Sequence, residues 1–293
     1  MTTTTEPQPD EIAIVAVTVP PRSWRSDWRA IKVVWRRELI RFRRDRLRMV
    51  TSLMQPLLFL FVLGTGLSSL FNSAGAATDI NVRTFLFPGV LTLAVLFTAV
   101  FSAGSIVWDR EFGFLREMLV APVGRWAIVV GKCVGGATVA TFQGLVLLAL
   151  AGLVGVPYNP IMIVLVVAEL MLIALMITAF GVMVAARIKT FQAFMAMTQV
   201  LMLPMFFLSG ALFPLNNLPT WLTILTHINP LTYAVDLVRR TIFAFIDVGP
   251  AGAQFVSGVT WGSWVVPLWL EALIIAAMGL IMVWVAVIQF RKA

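Results

Sequence analysis

IMIVLVVAELMLIALMITAFGVMV, residues Ile161–Val184, carries one ionisable side chain, Glu169, in an otherwise apolar run. An α-helix rises about 1.5 Å per residue, so roughly 20 apolar residues match about 30 Å of hydrocarbon. A helix this apolar on every side has little place on a soluble surface, whereas lipid accepts it. Working outward, comparable runs fall at Lys132–Val154 and Ala193–Phe213 on either side. Others lie at Met49–Leu70 and Thr84–Val107 before them and at Ser263–Gln289 near the end. The pattern predicts an all-α integral membrane protein of six spans. Composition agrees: 60% of the 293 residues are hydrophobic and 12% are charged, about half the charged share of a soluble domain.

Lysine and arginine sort to one side of these spans. Half of the 22 basic residues precede the first one: Arg22, Arg25, Arg29, Lys32, Arg36, Arg37, Arg41, Arg43, Arg44, Arg46 and Arg48. Placing that flank in the cytoplasm also puts Arg110, Arg116, Arg125, Lys132, Arg187, Lys189, Arg291 and Lys292 there. Only Arg83, Arg239 and Arg240 are left outside. Basic residues favour the cytoplasmic side, so a multi-pass protein of the bacterial inner membrane with both termini cytoplasmic is expected. The net charge of +8 adjoins the bilayer and therefore points to anionic lipid headgroups and not to nucleic acid. A lone cysteine, Cys133, excludes an intrachain disulfide and a multi-cysteine metal site. No metal site is expected. Residues 1–21 read as a disordered cytoplasmic tail, because the short apolar stretch Ile12–Val19 lacks the basic lead of a signal peptide.

Three segments outside the spans stand out. In the first, residues 22–48, Trp28, Ile31, Trp35, Leu39 and Phe42 recur at helical spacing, with arginines such as Arg36 and Arg37 on the remaining face. This predicts an amphipathic helix lying on the cytoplasmic leaflet, tryptophans at the interface and guanidinium groups on phosphate. It precedes a membrane domain over 49–293. The second is Asp109–Arg125, DREFGFLREMLVAPVGR, a short amphipathic helix stopped at Pro122. Phe114, Leu115, Met118 and Leu119 form an apolar edge, and Glu111, Arg116, Glu117 and Arg125 a charged face suited to a partner protein. Left without a partner, that apolar edge would be exposed.

The third segment follows the fifth span. It contains Phe207–Pro214 (FLSGALFP), Leu218–Trp221 (LPTW) and Asn229–Asp236 (NPLTYAVD), then Arg239 and Arg240. A proline-broken run with these charges is a poor spanning helix and fits a re-entrant or interfacial hairpin.

Taken in order, these motifs resemble the permease subunits of ATP-binding-cassette (ABC) type 2 transporters, over nearly the whole chain beyond the tail. Within that family the chain looks most similar to daunorubicin-resistance-type drug permeases and nodulation-factor permeases. The resemblance implies six helices per subunit, assembly with a second permease copy or a paralogous permease, and a separate, dimeric ABC ATPase. It also implies that Asp109–Arg125 is the coupling helix, with Glu111, Gly113, Leu115, Arg116, Glu117, Pro122 and Arg125 at the matching positions. Gly210, Pro214, Pro219, Trp221, Asn229, Pro230, Asp236 and Arg239 would belong to the outer re-entrant gate.

The chain has no Gly-x-x-x-x-Gly-Lys-[Ser/Thr] loop, so ATP and Mg are expected on the partner and no cofactor on this chain. Metalloprotease and serine-hydrolase motifs are also missing, and a non-catalytic subunit is expected. Glu169 and Glu271 are the acids read as lying within spans, where an ionisable group costs several kcal/mol unless paired, watered or protonated. Glu271 either belongs to a translocation path, with Phe206 and Phe207, or partners Arg239 or Arg240. The function expected is export of hydrophobic or amphiphilic compounds: a drug, antibiotic or lipid. A polysaccharide or glycolipid exporter is the alternative within the same superfamily. A secondary carrier is the alternative from another class, disfavoured because no chain of acids runs through the spans.

Overall fold

The computed structural model describes residues 23–73, 82–114, 118, 123–215, 218–246, 258–262 and 264–292. The expected tail lies outside them. Helix α1, Trp24–Arg44, starts at a capping box in which Ser23 and Ser26 exchange side-chain and backbone hydrogen bonds. Its buried residues are Asp27, Ile31, Val34 and Glu38, spaced at four, three and four, one stripe of a helix. Helix α2, Arg46–Leu58, passes through a π-helical turn at Phe59–Leu63 into α3, Gly64–Ser73. In that turn the Gly64 amide donates to the Phe59 carbonyl. Then come α4, Val82–Ala103; α5, Ser105–Glu111; α6, Arg125–Leu148; α7, Pro160–Ala185; and α8, Phe191–Phe207. Helices α9, Thr220–Ile228, and α10, Pro230–Phe243, precede a small hairpin of β1, Thr260–Trp261, and β2, Trp264–Val265. The last helix, α11, is Leu268–Lys292.

Among the described residues, five helices are long and apolar enough to cross a membrane: Met49–Ser69, Val82–Glu111, Arg125–Leu148, Pro160–Ala185 and Leu268–Phe290. The sixth expected span is α8, an apolar helix of 17 residues, about 26 Å long. It carries Pro204 and gives way to a turn before the expected end at Phe213. Two other expected edges move. Helix α6 begins at Arg125 and not at Lys132, which lies inside the helix and is buried. Helix α11 begins at Leu268, because the hairpin and Pro267 occupy the start expected near Ser263.

Helix α4 sits at the centre, buried along almost its whole length and packed against α6 and α7, with α11 covering α7 and α10 lying across all of these except α6. Helix α1 packs along α6. The approach is close because Gly131 and Gly135 face it: a Cβ on either would come within 2.9 Å of the Cβ of Val34 or Glu38. Small residues at such a crossing let backbones draw together. Helices α2 and α8 lie at the edge with wide apolar faces exposed, including Val50, Met54 and Leu58 on α2, Val62 in the π-helical turn after it, and Met197, Val200 and Leu203 on α8.

Candidate functional site

At the end of the bundle where α1 lies, α5 continues the line of α4 and presents Ser105 and Asp109, one turn apart, to the interior. Across from them, Lys132 Nζ sits 2.6 Å from Glu38 Oε1, 2.8 Å from Ser105 Oγ and 2.8 Å from Asp109 Oδ2. Three oxygens thus take the three protons of one ammonium group. Asp109 also accepts from Arg37. Two cations and two carboxylates cancel, which is what makes the burial tolerable: the Lys132 and Glu38 side chains are only 2% and 4% exposed. The cluster joins α1, α5 and α6.

The next two residues reach the turn between α7 and α8. Arg110 donates to the carbonyls of Ala186 (2.9 Å) and Ile188 (2.8 Å), closing the C-terminus of α7. Glu111 Oε2 accepts from the Phe191 amide at 2.9 Å, at the N-terminus of α8. A cation at a helix C-terminus and an anion at an N-terminus both complement the helix dipole. Helix α5 then stops, with Gly113 at φ +84, a left-handed position that suits glycine. Phe112 and Phe114 are left exposed. On the far side of the connection, Gly124 donates its amide to Asp27 of α1 at 2.6 Å, and Arg125 donates to the Phe290 carbonyl near the end of α11 at 2.8 Å. The described ends of the Asp109–Arg125 stretch therefore hold the ends of four other helices, α1, α7, α8 and α11. Leu115, Arg116, Glu117 and Pro122 lie outside the described residues.

Along α1, Trp28 is exposed, and Trp35 donates its indole N–H to Thr138 at 3.2 Å. Arg36 is exposed, whereas Arg37, expected beside it on lipid phosphate, turns to Asp109 because a buried carboxylate needs it. Sequence reasoning missed Glu38, Ser105 and Lys132 as partners. The available signal was Glu38, an acid on the Ile31–Val34 stripe of an otherwise arginine-rich helix.

At the opposite end, α10 satisfies the last carbonyls of α8, which a helix terminus leaves open. Asn229 caps α10 with its oxygen and donates Nδ2 to the Met205 carbonyl at 2.8 Å. Thr232 Oγ1 donates to the Leu208 carbonyl at 3.1 Å, and Arg239 to the Gly210 carbonyl at 2.7 Å. Arg239 is buried with its guanidinium over the Phe85 ring, 4.4 Å from the centroid. Burial lowers its pKa to about 10 and Asp236 opposes that fall, so it stays charged at neutral pH. Gly210 turns the chain at φ +73, Pro219 precedes α9, and Pro230 opens α10. Trp221 is exposed.

Asp236 accepts from the Val259 amide at 2.7 Å, and Arg240 reaches Glu271 at 3.3 Å. Glu169 accepts from Thr241 at 2.5 Å. The ring nitrogens of His227 lie 2.5 Å from the Thr223 carbonyl and 2.9 Å from that of Thr260, bridging α9 to the hairpin. Glu271 thus joins Arg240, and not Phe206 and Phe207, which line a separate cavity with α2 and α4. No cluster of histidine, cysteine and acids suited to a metal occurs among the described residues.

A helical bundle of membrane-crossing length, tied at one end by buried ions and at the other by a proline-flanked helix pair, defines a polytopic membrane protein. Residues 29–243 match the ABC-2 type transporter family, and the chain belongs to that family. Permeases of this family normally work with an ATPase subunit. The chain is 30% identical over 212 residues to ycf38 of Cyanophora paradoxa, named as a transport permease, covering 71% of this chain and 72% of that one. It is 28% identical over 164 residues to YbhR of Escherichia coli (strain K12), named as a multidrug ABC transporter permease, covering 55% of this chain and 44% of YbhR. It is 26% identical over 212 residues to Nodulation protein J of Rhizobium leguminosarum bv. viciae, covering 71% and 80%.

Proposed function

We propose that this chain is the non-catalytic, membrane-spanning subunit of an ATP-driven exporter of hydrophobic or amphiphilic compounds, powered by a separate ABC ATPase that binds ATP and Mg. The observation that carries the reading is the hub around Asp109–Glu111. One short helix is bonded to the buried ion cluster, to the end of α7 and to the start of α8, and it exposes Phe112 and Phe114 beside those bonds. Exposed aromatics next to a rigid anchor suit docking of another protein. In this reading the Asp109–Arg125 segment docks in the ATPase. Its movement shifts α7, α8 and the end of α11 together, while Leu115, Arg116, Glu117 and Pro122 complete the docking surface.

The protein sits in the bacterial inner membrane with both termini cytoplasmic and crosses it six times, α8 included, as the distribution of lysine and arginine favours. The exposed apolar faces of α2 and α8 meet lipid or a second permease copy. The α9–α10 pair is the outer re-entrant gate, and it opens when its bonds to the end of α8 release. Export of a drug-like amphiphile draws support from the printed name of YbhR. The test is hydrolysis by the partner ATPase in proteoliposomes, with and without this chain. Glu111→Ala and Phe114→Ser are expected to leave the permease folded and to abolish its effect on hydrolysis. Unchanged coupling in both variants would sink the reading.

A further inference from the structure

Arg37, Ile40, Arg41 and Arg44 of α1 are spaced three, one and three residues apart, along one stripe of a helix. Facing them are Trp108 of α5 and, past its end, Phe112 and Phe114, and the space between is an open cavity of about 630 Å³. The acids in its wall are already engaged. Asp109 accepts from Arg37 and Lys132, and Asp45, at the end of α1, has a partner of its own. Two of its cations are not: Arg41 and Arg44 form no ion pair among the described residues. Arg41 holds its guanidinium carbon 5.9 Å from the centroid of the Trp108 ring, a cation–π contact that orients the group without using its N–H donors. Two guanidinium groups one turn apart therefore line this cavity with donors to spare.

The depth of the cavity says what those donors meet. Arg44 lies five residues before the crossing helix Met49–Ser69 begins, and Trp108 three residues before Val82–Glu111 ends. At 1.5 Å per residue both walls fall within about 8 Å of the end of a crossing, and the headgroup layer adds about 5–8 Å on each side of the hydrocarbon. Phosphate oxygens are the acceptors found at that level, and guanidinium groups match them in geometry and charge. Ile40, Phe112 and Phe114 are exposed beside the arginines, an apolar rim for the glycerol esters and the first acyl carbons. Charge then selects among lipids. A choline head would bring a cation to a wall whose carboxylates are taken, whereas a head with phosphate as its sole charge answers the two arginines.

We infer that the cavity between α1 and the end of α5 is a discrete site for an anionic phospholipid, its phosphodiester on Arg41 and Arg44 and its upper acyl chain on Ile40 and the aromatic wall. The site does not depend on what the chain exports or in which direction. The experiment uses the full chain in nanodiscs of phosphatidylcholine, with its ATPase and, in parallel, without it. The discs are doped with phosphatidylglycerol or phosphatidylcholine carrying the same diazirine at the top of one acyl chain, and labelled peptides are mapped after illumination. Inorganic phosphate and glycerol 3-phosphate, added in excess, separate a lipid head from a free phosphate.

The phosphatidylglycerol probe is expected to mark the peptides around Ile40–Arg44 and Trp108–Phe114 several-fold more than the phosphatidylcholine probe, with the competitors leaving that labelling in place. Arg41→Gln and Arg44→Gln each lower it about fivefold, the worth of one arginine near an anionic head. Arg43→Gln removes the same charge from an exposed position outside the cavity and leaves the labelling nearly unchanged. Arg44→Gln in phosphatidylcholine alone unfolds at the parent's temperature, which separates loss of the site from loss of the fold. Equal labelling by the two lipids, or an equal loss in Arg43→Gln and Arg44→Gln, overturns the inference, because either reads only a diffuse surface potential. Labelling abolished by the free phosphates overturns it in favour of a soluble phosphate compound. Labelling that vanishes when the ATPase joins the chain overturns it as well, and gives the two arginines to an acidic surface of that partner.

Discussion

The two ends of this bundle are fastened by different chemistry. At the α1 end, Lys132, Glu38, Asp109 and Arg37 bond side chain to side chain, and each charge has an opposite within reach. At the α10 end, Asn229, Thr232 and Arg239 donate to backbone carbonyls at or beyond the end of α8, Arg239 to those of both Gly210 and Ala211. Removing one member of the first set leaves a buried ion without its counter-charge. Removing one of the second loses that side chain's backbone bonds and leaves the other two side chains in place. A linkage of the first kind moves as a unit, as force transmission requires, and one of the second kind releases in steps, as a gate requires.

The contrast can be broken by substitution. Lys132→Met strands the buried Glu38 carboxylate and leaves Asp109 with Arg37, and is expected to destabilise the purified protein by about 3–5 kcal/mol, read from thermal unfolding in detergent. Adding Glu38→Gln to it should restore part of that loss. If Lys132→Met costs no more than the exposed change Arg36→Gln, the α1 end is not an ionic lock. Gly135→Ala drives a methyl group against Glu38, where the Cβ distance is already 2.9 Å. It should cost about 1–3 kcal/mol and loosen α1, measured as faster proteolysis after Arg44.

At the other end, Asn229→Ala removes a cap and the tie to Met205, for about 1–2 kcal/mol. Its signature is faster amide exchange in α9 and α10 with α6 unchanged. An equal effect at both ends would erase the distinction. Phe114→Ser should shift unfolding by less than about 0.5 kcal/mol and yet weaken capture of the ATPase in a pull-down. A variant that keeps full capture would remove the aromatic pair from the docking surface.

Hydropathy made the membrane class legible, because a run such as Ile161–Val184 has one solvent that suits it. Proline and asparagine at 229–230 likewise marked the corner between α9 and α10, since Asn caps and Pro opens a helix. Lys132 was misread as a flank because a charge near the edge of an apolar run looks like an interface residue. Its partners Glu38 and Asp109 are distant in sequence, and burial of an ammonium group becomes tolerable only once they assemble around it. Gly131 and Gly135, four residues apart, permit a close helix contact, but spacing alone does not name α1 as the neighbour. Glu111 and Arg125 were read as facing outward. Only the fold reveals that they bond to the ends of α8 and α11.

The π-helical turn at Phe59–Leu63 has its own consequence. Such a turn carries one residue more than α-helical geometry needs, and one residue corresponds to about 100° of rotation. Sliding that surplus along the chain by a single step would swing a different side chain toward the cavity lined by Phe206 and Phe207 without lengthening the helix or unwinding its ends. Phe59, which lies both in the turn and on the wall of that cavity, would be the first side chain such a swivel carried away.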